Sequence, residues 1–330
     1  MFYLGIDVSK ATLDCCLLYQ GVDGKRKNIK TTNTANGFNK IMAWVEKHQC
    51  ALSQTLVAIE ATSIYHESLA MALADAGLQV SVVNPARVRS FAQGLSILHK
   101  TDQVDSVVLA KFVALARPEK WTPPSHDARQ LNGLLARRET LAADLRREQN
   151  RMEKMLSIAT PVEIRASIER MTTFIEQEIA QLDQQINDHI DQHPKLKNDQ
   201  KLLTSIPAIG KRTSLMMLNL LQMHHFDCAS QMAAYVGLVP IQRQSGTSLK
   251  GQAHLSKAGS SKVRSGLYMA AVVAIQYNPH IKATYQRLLL RGKTKMSALG
   301  AAMRKLVHLC FGVIKNQTAY QADYFPKLAI

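Results

Sequence analysis

Short apolar runs alternate with helical segments up to residue 116, and this alternation constrains the fold more than any other sequence feature. The first run, 2–9, is apolar on both sides of Asp7 and predicts a buried strand. Further strands are predicted at 12–19, 27–33, 55–60 and 78–83. Helices are predicted at 36–49, 64–76, 86–98 and 102–116. Three early strands followed by alternating helices and strands predict a mixed α/β sheet.

A break at Trp121-Thr-Pro-Pro-Ser separates this part from two long, charged segments at 126–157 and 163–193. Their apolar residues have helical spacing, and Pro161 and Pro194 end them, which predicts an antiparallel helical hairpin or coiled coil. Two ordinary domain helices are an equally good reading. The rest of the chain is again predicted to be helical. The predicted domains are therefore 1–124, 125–195 and 196–330.

Positive charge is concentrated at the C-terminal end. The formal net charge is +16, and residues 241–330 contain fourteen Lys or Arg against one acid, Asp323. This asymmetry favours a polyanionic partner such as DNA. A basic protein that merely stays soluble is the alternative, and membrane-surface binding is disfavoured because the charges form no short polybasic run.

The sequence predicts a cytoplasmic protein. No stretch has 18 uninterrupted apolar residues, and the start lacks the basic and apolar pattern of a secretory signal. Five cysteines are dispersed without a CxxC pair, which indicates reduced thiols rather than disulfides or a zinc site.

Four carboxylates stand at the ends of predicted elements. Asp7 lies inside an apolar strand, where a charge is costly unless it is paired or binds a metal, and Glu60 ends another strand. Asp102 and Asp105 share one face of a helix start. Such acids can hold two Mg²⁺ ions for phosphoryl transfer. The alternatives are helix capping by Asp102, interaction of Asp105 with the N-terminal helix dipole, and ion pairing by Glu60.

The motifs Gly5-Ile-Asp-Val-Ser-Lys10, Ile59-Glu-Ala-Thr62, Val83-Asn-Pro85 and Lys100-Thr-Asp-Gln-Val-Asp105 resemble the DEDD transposases of the insertion-sequence one-ten family. Piv-type DNA invertases are relatives of that family. The resemblance implies a RuvC-like domain with a ribonuclease H fold, followed by a helical coiled-coil segment and a mainly α-helical basic transposase domain. It also implies that Asp7, Glu60, Asp102 and Asp105 bind Mg²⁺, for which Mn²⁺ can substitute. Thr62 and Lys100 are possible supporting residues.

A Ser/Gly string, Gln244-Ser-Gly-Thr-Ser-Leu-Lys-Gly251, precedes a basic helix. Read alone, it favours a flexible loop, although Ser245 beside glycine could approach a phosphate closely. Gly237-Leu-Val-Pro, Ser256-Lys-Ala-Gly259 and Val263–Ala271 are similar to the family's transposase domain, which implies that Ser245 attacks DNA and forms a phosphoserine bond. Ser248 is the second choice, and Tyr268 is expected to be a core residue. The predicted phosphate-binding cations of this region are Arg243, Lys250, Lys257, Lys262 and Arg264.

The turn Ser205-Ile-Pro-Ala-Ile-Gly210 with Lys211 and Arg212 resembles a helix-hairpin-helix turn. Such a turn directs backbone N–H groups and a helix N-terminus at a phosphate. Many relatives have glycine where Ala208 stands, and an ordinary helix–helix turn is an equally good reading.

These inferences predict a DNA transposase or site-specific recombinase. The acids and the serine lie in different predicted domains, which predicts a composite site, a dimer through 126–193 and a tetramer on DNA. The resemblance implies a structured guide RNA encoded by the element, whereas a Piv-type invertase could act without one. The remaining alternatives are a metal-only Holliday-junction nuclease, a non-enzymatic nucleic-acid-binding protein and, disfavoured by the missing phosphate loop, a sugar kinase.

Overall fold

The computed structural model describes residues 1–61, 64–97, 101–156, 161–242, 244–245, 249–250 and 254–323. The chain divides into two compact units, Met1–Pro123 and Pro124–Ile330. This division falls next to the break predicted after residue 124. A further division at residue 195 stays a prediction.

The first unit is built on a five-stranded mixed sheet in the order β3-β2-β1-β4-β5. Its strands are β1 (Phe2–Val8), β2 (Thr12–Leu18), β3 (Arg26–Thr32), β4 (Thr55–Glu60) and β5 (Gln79–Val83). The first three are antiparallel neighbours, while β4 and β5 run parallel to β1 and to each other. The α-helices are α1 (Ala35–Lys47), α2 (Glu67–Asp75), α3 (Pro85–Gly94) and α4 (Asp102–Ala116). The predicted mixed α/β sheet is confirmed.

Helices cover both faces of this sheet. On one face, Leu4 and Ile6 of β1 are fully buried in a cluster that includes Ile41 of α1 and Leu69 of α2. On the other face, Ala58 of β4 belongs to a buried cluster with α3 and α4. Alternate strand residues point to opposite faces, so each apolar strand supplies side chains to both layers.

The second unit begins with two long helices, α5 (His126–Leu156) and α6 (Val162–Gln192), which pack against each other. They are antiparallel, since Arg138 Nε lies 2.9 Å from Asp183 Oδ1 and the His189 ring bonds the carbonyl of Asp127 at 3.0 Å. Leu131 at the base of the pair is buried in the same core as the following helices. The predicted helical hairpin is therefore present, and supercoiling stays a prediction.

The remainder of the second unit is mainly helical. Its helices are α7 (Pro194–Thr204), α8 (Lys211–Met223), α9 (Ala229–Tyr235), α10 (Ser261–Tyr277), α11 (Pro279–Leu290) and α12 (Lys295–Asn316). Between α9 and α10 the described residues include the two-residue strands β6 (Pro240–Ile241), β7 (Gln244–Ser245), β8 (Leu249–Lys250) and β9 (His254–Leu255). Within the described residues, α12 is the one helix with the length and composition to cross a membrane. Leu306, Val307 and Cys310 of α12 are buried in the unit's core, as in a core helix.

Candidate active site

Charged residues form a row across four adjacent strands on the α4 face of the sheet. The antiparallel register places Asp7 of β1 opposite Asp14 of β2, and Asp14 opposite Lys30 of β3. The parallel register aligns Ile6 with Ile59, which brings Glu60 at the end of β4 to the level of Asp7. Side chains at the same level and of the same parity share a sheet face. The strands thus gather three acids and one cation from distant parts of the chain.

Helix α4 approaches this row because Gly5 has no side chain. A Cβ on Gly5 would lie 2.1 Å from the carbonyl oxygen of Ser106 and 2.3 Å from the amide nitrogen of Ala110. The backbone of α4 therefore packs directly on β1, two residues before Asp7. Only glycine permits this approach.

The first turn of α4 supplies the other two predicted acids. The Thr101 hydroxyl accepts a hydrogen bond from the Val104 amide at 3.3 Å and caps the helix. Asp102 and Asp105 are thus not needed as the cap, although they favour the positive end of the helix dipole. The capping alternative for Asp102 is thereby weakened.

Asp7 is the electrostatic centre of this group. Burial and, to a smaller extent, repulsion from Asp105, Asp102, Glu60 and Asp14 in that order together raise the pKa of the Asp7 carboxyl to about 6. Like charges disfavour one another's ionised forms, so the gathered acids are under mutual repulsion that a cation would relieve. The structure therefore places Glu60, Asp102 and Asp105 close enough to Asp7 to affect its pKa.

The acids do not form a ready-made ligand cage. Among the residues that the structure describes, no three His, Cys, Asp or Glu side chains are arranged to hold a metal ion. Asp102 instead has one carboxylate oxygen 4.0 Å from Lys30 Nζ. The donors are all oxygens, which suits Mg²⁺. Thr62 and Lys100 lie outside the described residues.

Asp14 and Lys30 were missed by the sequence reasoning. Lys30 Nζ lies 2.8 Å from Asp14 Oδ2, and hydrogen bonding and attraction to Asp14 raise the pKa of Lys30. The one usable signal was the short turn between β1 and β2, which would have given the hairpin register and placed Asp14 beside Asp7.

Ser245 lies in a short hairpin of the second unit. Its backbone in β7 pairs with Leu249 of β8, and Gln244 pairs with Lys250. The backbone at Ser245 is thus paired in a strand. Arg243 and Ser248 lie outside the described residues, and for Ser245 and Lys250 only the backbone is described.

Two glycines form a tight crossing at the base of the segment that contains Ser245. Gly237 has φ +81°, and a Cβ there would lie 2.1 Å from the Ala258 carbonyl oxygen. Gly259 has φ +73°, and its Cβ would lie 2.1 Å from the Tyr235 carbonyl oxygen. Side chains rarely tolerate this conformation, so both positions require glycine. We call this crossing the glycine clasp.

Arg264 holds the glycine clasp together. Its Nη1 donates to the carbonyl oxygens of Val236, Ala258 and Gly259 at 3.3, 2.7 and 3.0 Å. A guanidinium engaged with three backbone carbonyls is a positioning group for the segment between them. Its predicted contact with nucleic acid stays a prediction, and the geometry favours this internal role.

Four other predicted cations whose side chains the structure describes are exposed, namely Lys211, Arg212, Lys257 and Lys262. Lys257 has φ +54° within the clasp segment, and Lys262 lies at the start of α10 with its Nζ 3.6 Å from Glu139 Oε2. Lys211 and Arg212 occupy the first turn of α8, after a turn in which Ala208 has φ +80°. That conformation favours glycine, and the resemblance to a helix-hairpin-helix turn stays a prediction.

Tyr268 differs from its predicted burial. It lies in α10 with 38% of its surface exposed, whereas Leu267 beside it is fully buried. The helical period turns Tyr268 away from the core face, which the surrounding apolar residues did not reveal.

Comparison with known proteins gives matches over most of the chain. The family model DEDD_Tnp_IS110, described as a transposase, matches residues 4–161, and that of the transposase IS116/IS110/IS902 family matches 200–286. The pilin gene-inverting proteins of Moraxella bovis and Moraxella lacunata are each 32% identical over 320 residues, covering 96% of this chain and 97% of theirs. An uncharacterized 43.6 kDa protein of insertion element IS110 from Streptomyces coelicolor is 28% identical over 157 residues, covering 47% of this chain and 38% of its own length.

Proposed function

Since the chain belongs to the IS116/IS110/IS902 family of transposases and is a DNA recombinase, we propose that it cuts and rejoins DNA with a metal-binding acid cluster and a serine nucleophile. Asp7, Glu60, Asp102 and Asp105 are the proposed ligands of two Mg²⁺ ions, which Mn²⁺ can replace. The convergence of these acids around Asp7 is the observation that carries the proposal. The sheet order β3-β2-β1-β4-β5, with α4 packed on the acidic face, supports a RuvC-like ribonuclease H fold.

The four proposed metal ligands come in two pairs from different elements. Asp7 and Glu60 hold the site from the carboxyl ends of the interior strands β1 and β4, and Asp102 and Asp105 hold it from the first turn of α4. Bound divalent ions supply electrostatic stabilisation of the phosphate and of the oxygens that enter and leave. Gly5 keeps the helix and the strand at the short spacing that the shared site requires.

Ser245 is the proposed nucleophile. Its hydroxyl oxygen bonds to phosphorus as its proton is lost, and the bond from phosphorus to a deoxyribose oxygen breaks, leaving that oxygen as a free hydroxyl. A hydroxyl of another DNA end then attacks the phosphoserine, restoring the serine and a DNA phosphodiester. The paired backbone of β7 and β8 and the glycine clasp support a fixed position for this serine. The exposed Lys257, Lys262, Lys211 and Arg212 are proposed to bind DNA phosphates.

The acids and the serine lie in different compact units, so we propose a composite site assembled between subunits. A dimer through α5 and α6 and a tetramer on DNA would supply the four cuts of strand exchange. Exposed apolar side chains on α6 support this contact, since Met171 is 49% and Phe174 is 56% exposed. A contiguous patch of exposed apolar side chains can mark a protein interface.

Two variants of this function remain distinct. Guidance by a structured RNA would leave the protein to bind nucleic-acid backbone and shape, for which the +13 charge of residues 241–330 is suited. Inversion of a DNA segment, as the names of the Moraxella relatives state for them, is favoured by similarity along nearly the whole chain. Recombination by RNA-free protein would support inversion, and a requirement for element RNA would support guided transposition.

Strand cleavage by purified protein tests the proposed acid cluster. Asp7→Asn and Asp105→Asn should each reduce Mg²⁺-dependent cleavage of junction DNA by at least about a hundredfold, since each removes a proposed ligand. Asp23→Asn is the matched control, because that side chain is 92% exposed and pairs with Lys111 away from the cluster. Cleavage by Asp7→Asn at the wild-type rate would refute the proposed site. Cleavage that survives Ser245→Ala would instead indicate a metal-only nuclease.

A further inference from the structure

Lys30 places a positive charge at the end of the row of acids. Its Nζ lies 2.8 Å from Asp14 Oδ2 and 4.0 Å from Asp102 Oδ2. It therefore connects β2 and β3 of the sheet with the first turn of α4. Neither the residue nor its partner Asp14 has a part in the proposed chemistry described above.

Asp14 is the more buried of the two carboxylates near Lys30. Its side chain is 15% exposed, whereas those of Lys30 and Asp102 are 57% and 66% exposed. Asp14 also stands directly opposite Asp7 and contributes to the repulsion that disfavours Asp7 ionisation. Without Lys30, a largely buried carboxylate would stand unpaired beside the proposed metal ligands. Leaving such a charge uncompensated is costly.

We propose that Lys30 is a positioning residue of the active site, which pairs with Asp14 and keeps this fifth acid from competing with Asp7 and Asp102 for the metal ions. The inference rests on the proposed metal site. An ordinary surface ion pair contributes little to stability. This pair differs because its acid is largely buried and faces Asp7 across the strand pair. Lys30 is thus a support for the metal ligands and contacts none of the reacting atoms.

The test combines Lys30→Gln, Lys30→Arg, Asp14→Asn and the double variant Lys30→Gln/Asp14→Asn. Cleavage of junction DNA is measured against Mg²⁺ concentration. Binding of Mg²⁺ alone is measured without DNA from the rise in Tm. Lys111→Gln is the matched control, because it removes a lysine from the pair with Asp23, at 3.6 Å in the same unit.

Lys30→Gln should lower maximal cleavage by about tenfold, in the range for residues that support metal ligands. Lys30→Gln should also bind Mg²⁺ more tightly, because an unpaired fifth carboxylate adds negative charge. The Mg²⁺ concentration that gives half of the maximal rise in Tm should therefore fall several-fold. The double variant should recover both properties to within about threefold of wild type. Lys30→Arg should keep both, and Lys111→Gln should change neither.

Two outcomes would overturn the inference. A double variant as impaired as Lys30→Gln would mean that the lysine acts elsewhere, for example on a DNA phosphate. Wild-type cleavage and Mg²⁺ binding in Lys30→Gln would leave the pair without a function. Asp7→Asn is assayed in parallel to separate the two proposals. If it cleaves normally, the metal site itself is wrong, and if it is inactive, the result for Lys30 stands by itself.

Discussion

Gly5→Ala should damage both the stability of the first unit and its proposed active site. The added Cβ would lie 2.1 Å from the Ser106 carbonyl oxygen, whereas ordinary contact begins at 3.4 Å. Helix α4 must then move outward by about 1.3 Å, because the opposing atoms are backbone and cannot rotate away. This movement should cost about 1 to 3 kcal/mol in the free energy of unfolding.

The same movement changes the site. Asp102 and Asp105 move with α4 while Asp7 stays on β1, so the acids separate by about 1 Å. A displacement of that size can lower an enzymatic rate by about a hundredfold. Urea denaturation gives the stability and cleavage of junction DNA gives the rate, both measured on the full chain.

Gly133→Ala is the matched control for this experiment. Gly133 lies inside α5 with no atom within 4 Å of an added Cβ. The control should therefore gain about 0.5 to 1 kcal/mol, since alanine favours helix more than glycine does. If Gly5→Ala had wild-type stability and cleavage, close packing of α4 on β1 would not organise the site.

Asp7, Arg264 and Ala208 can each be tested by a single substitution. In the absence of divalent metal, Asp7→Asn should exceed wild type in stability by on the order of 1 kcal/mol at pH 7, because the folded-state pKa of Asp7 is raised to about 6. This stability advantage should disappear as the pH falls from about 6 to 4, because the folded wild-type protein then takes up a proton at Asp7. Urea titrations at several pH values measure the difference, and a difference that does not depend on pH would contradict the prediction. Arg264→Gln should reduce covalent DNA attachment by about tenfold and leave the salt dependence of DNA binding unchanged. If the slope of log binding constant against log salt concentration instead fell by about one, Arg264 would be a phosphate contact. Ala208→Gly should raise the free energy of unfolding by about 0.5 to 1 kcal/mol, because a backbone φ of +80° strains alanine. A lower Tm would show that packing of the partly buried Ala208 methyl group outweighs this strain.

The sheet could be predicted because its strands have distinct patterns. β1 and β4 are apolar runs and were placed to within a residue, and α4 was predicted from its apolar spacing after Thr101. The gathering of Asp7, Glu60, Asp102 and Asp105 followed from resemblance, since spacing alone left capping and ion pairing open.

The remaining features depend on contacts that the sequence pattern does not contain. Asp14 and Lys30 lie beside Asp7 only because of the register of β1, β2 and β3. Local propensity does not specify that register. The sequence shows the charge of Arg264 and therefore predicts a phosphate contact. It does not show the three backbone carbonyls to which the guanidinium donates. Tyr268 was misplaced because one residue of helical rotation separates it from the buried Leu267.

Covalent attachment of the protein to DNA tests the central claim most directly. Purified protein is incubated with Mg²⁺, element RNA and labelled junction DNA, denatured, and separated by gel electrophoresis. Wild type and Ser248→Ala should give labelled protein, while Ser245→Ala and Asp105→Asn should give none. Cleaved DNA without labelled protein, or an adduct that survives Ser245→Ala, would contradict the serine mechanism.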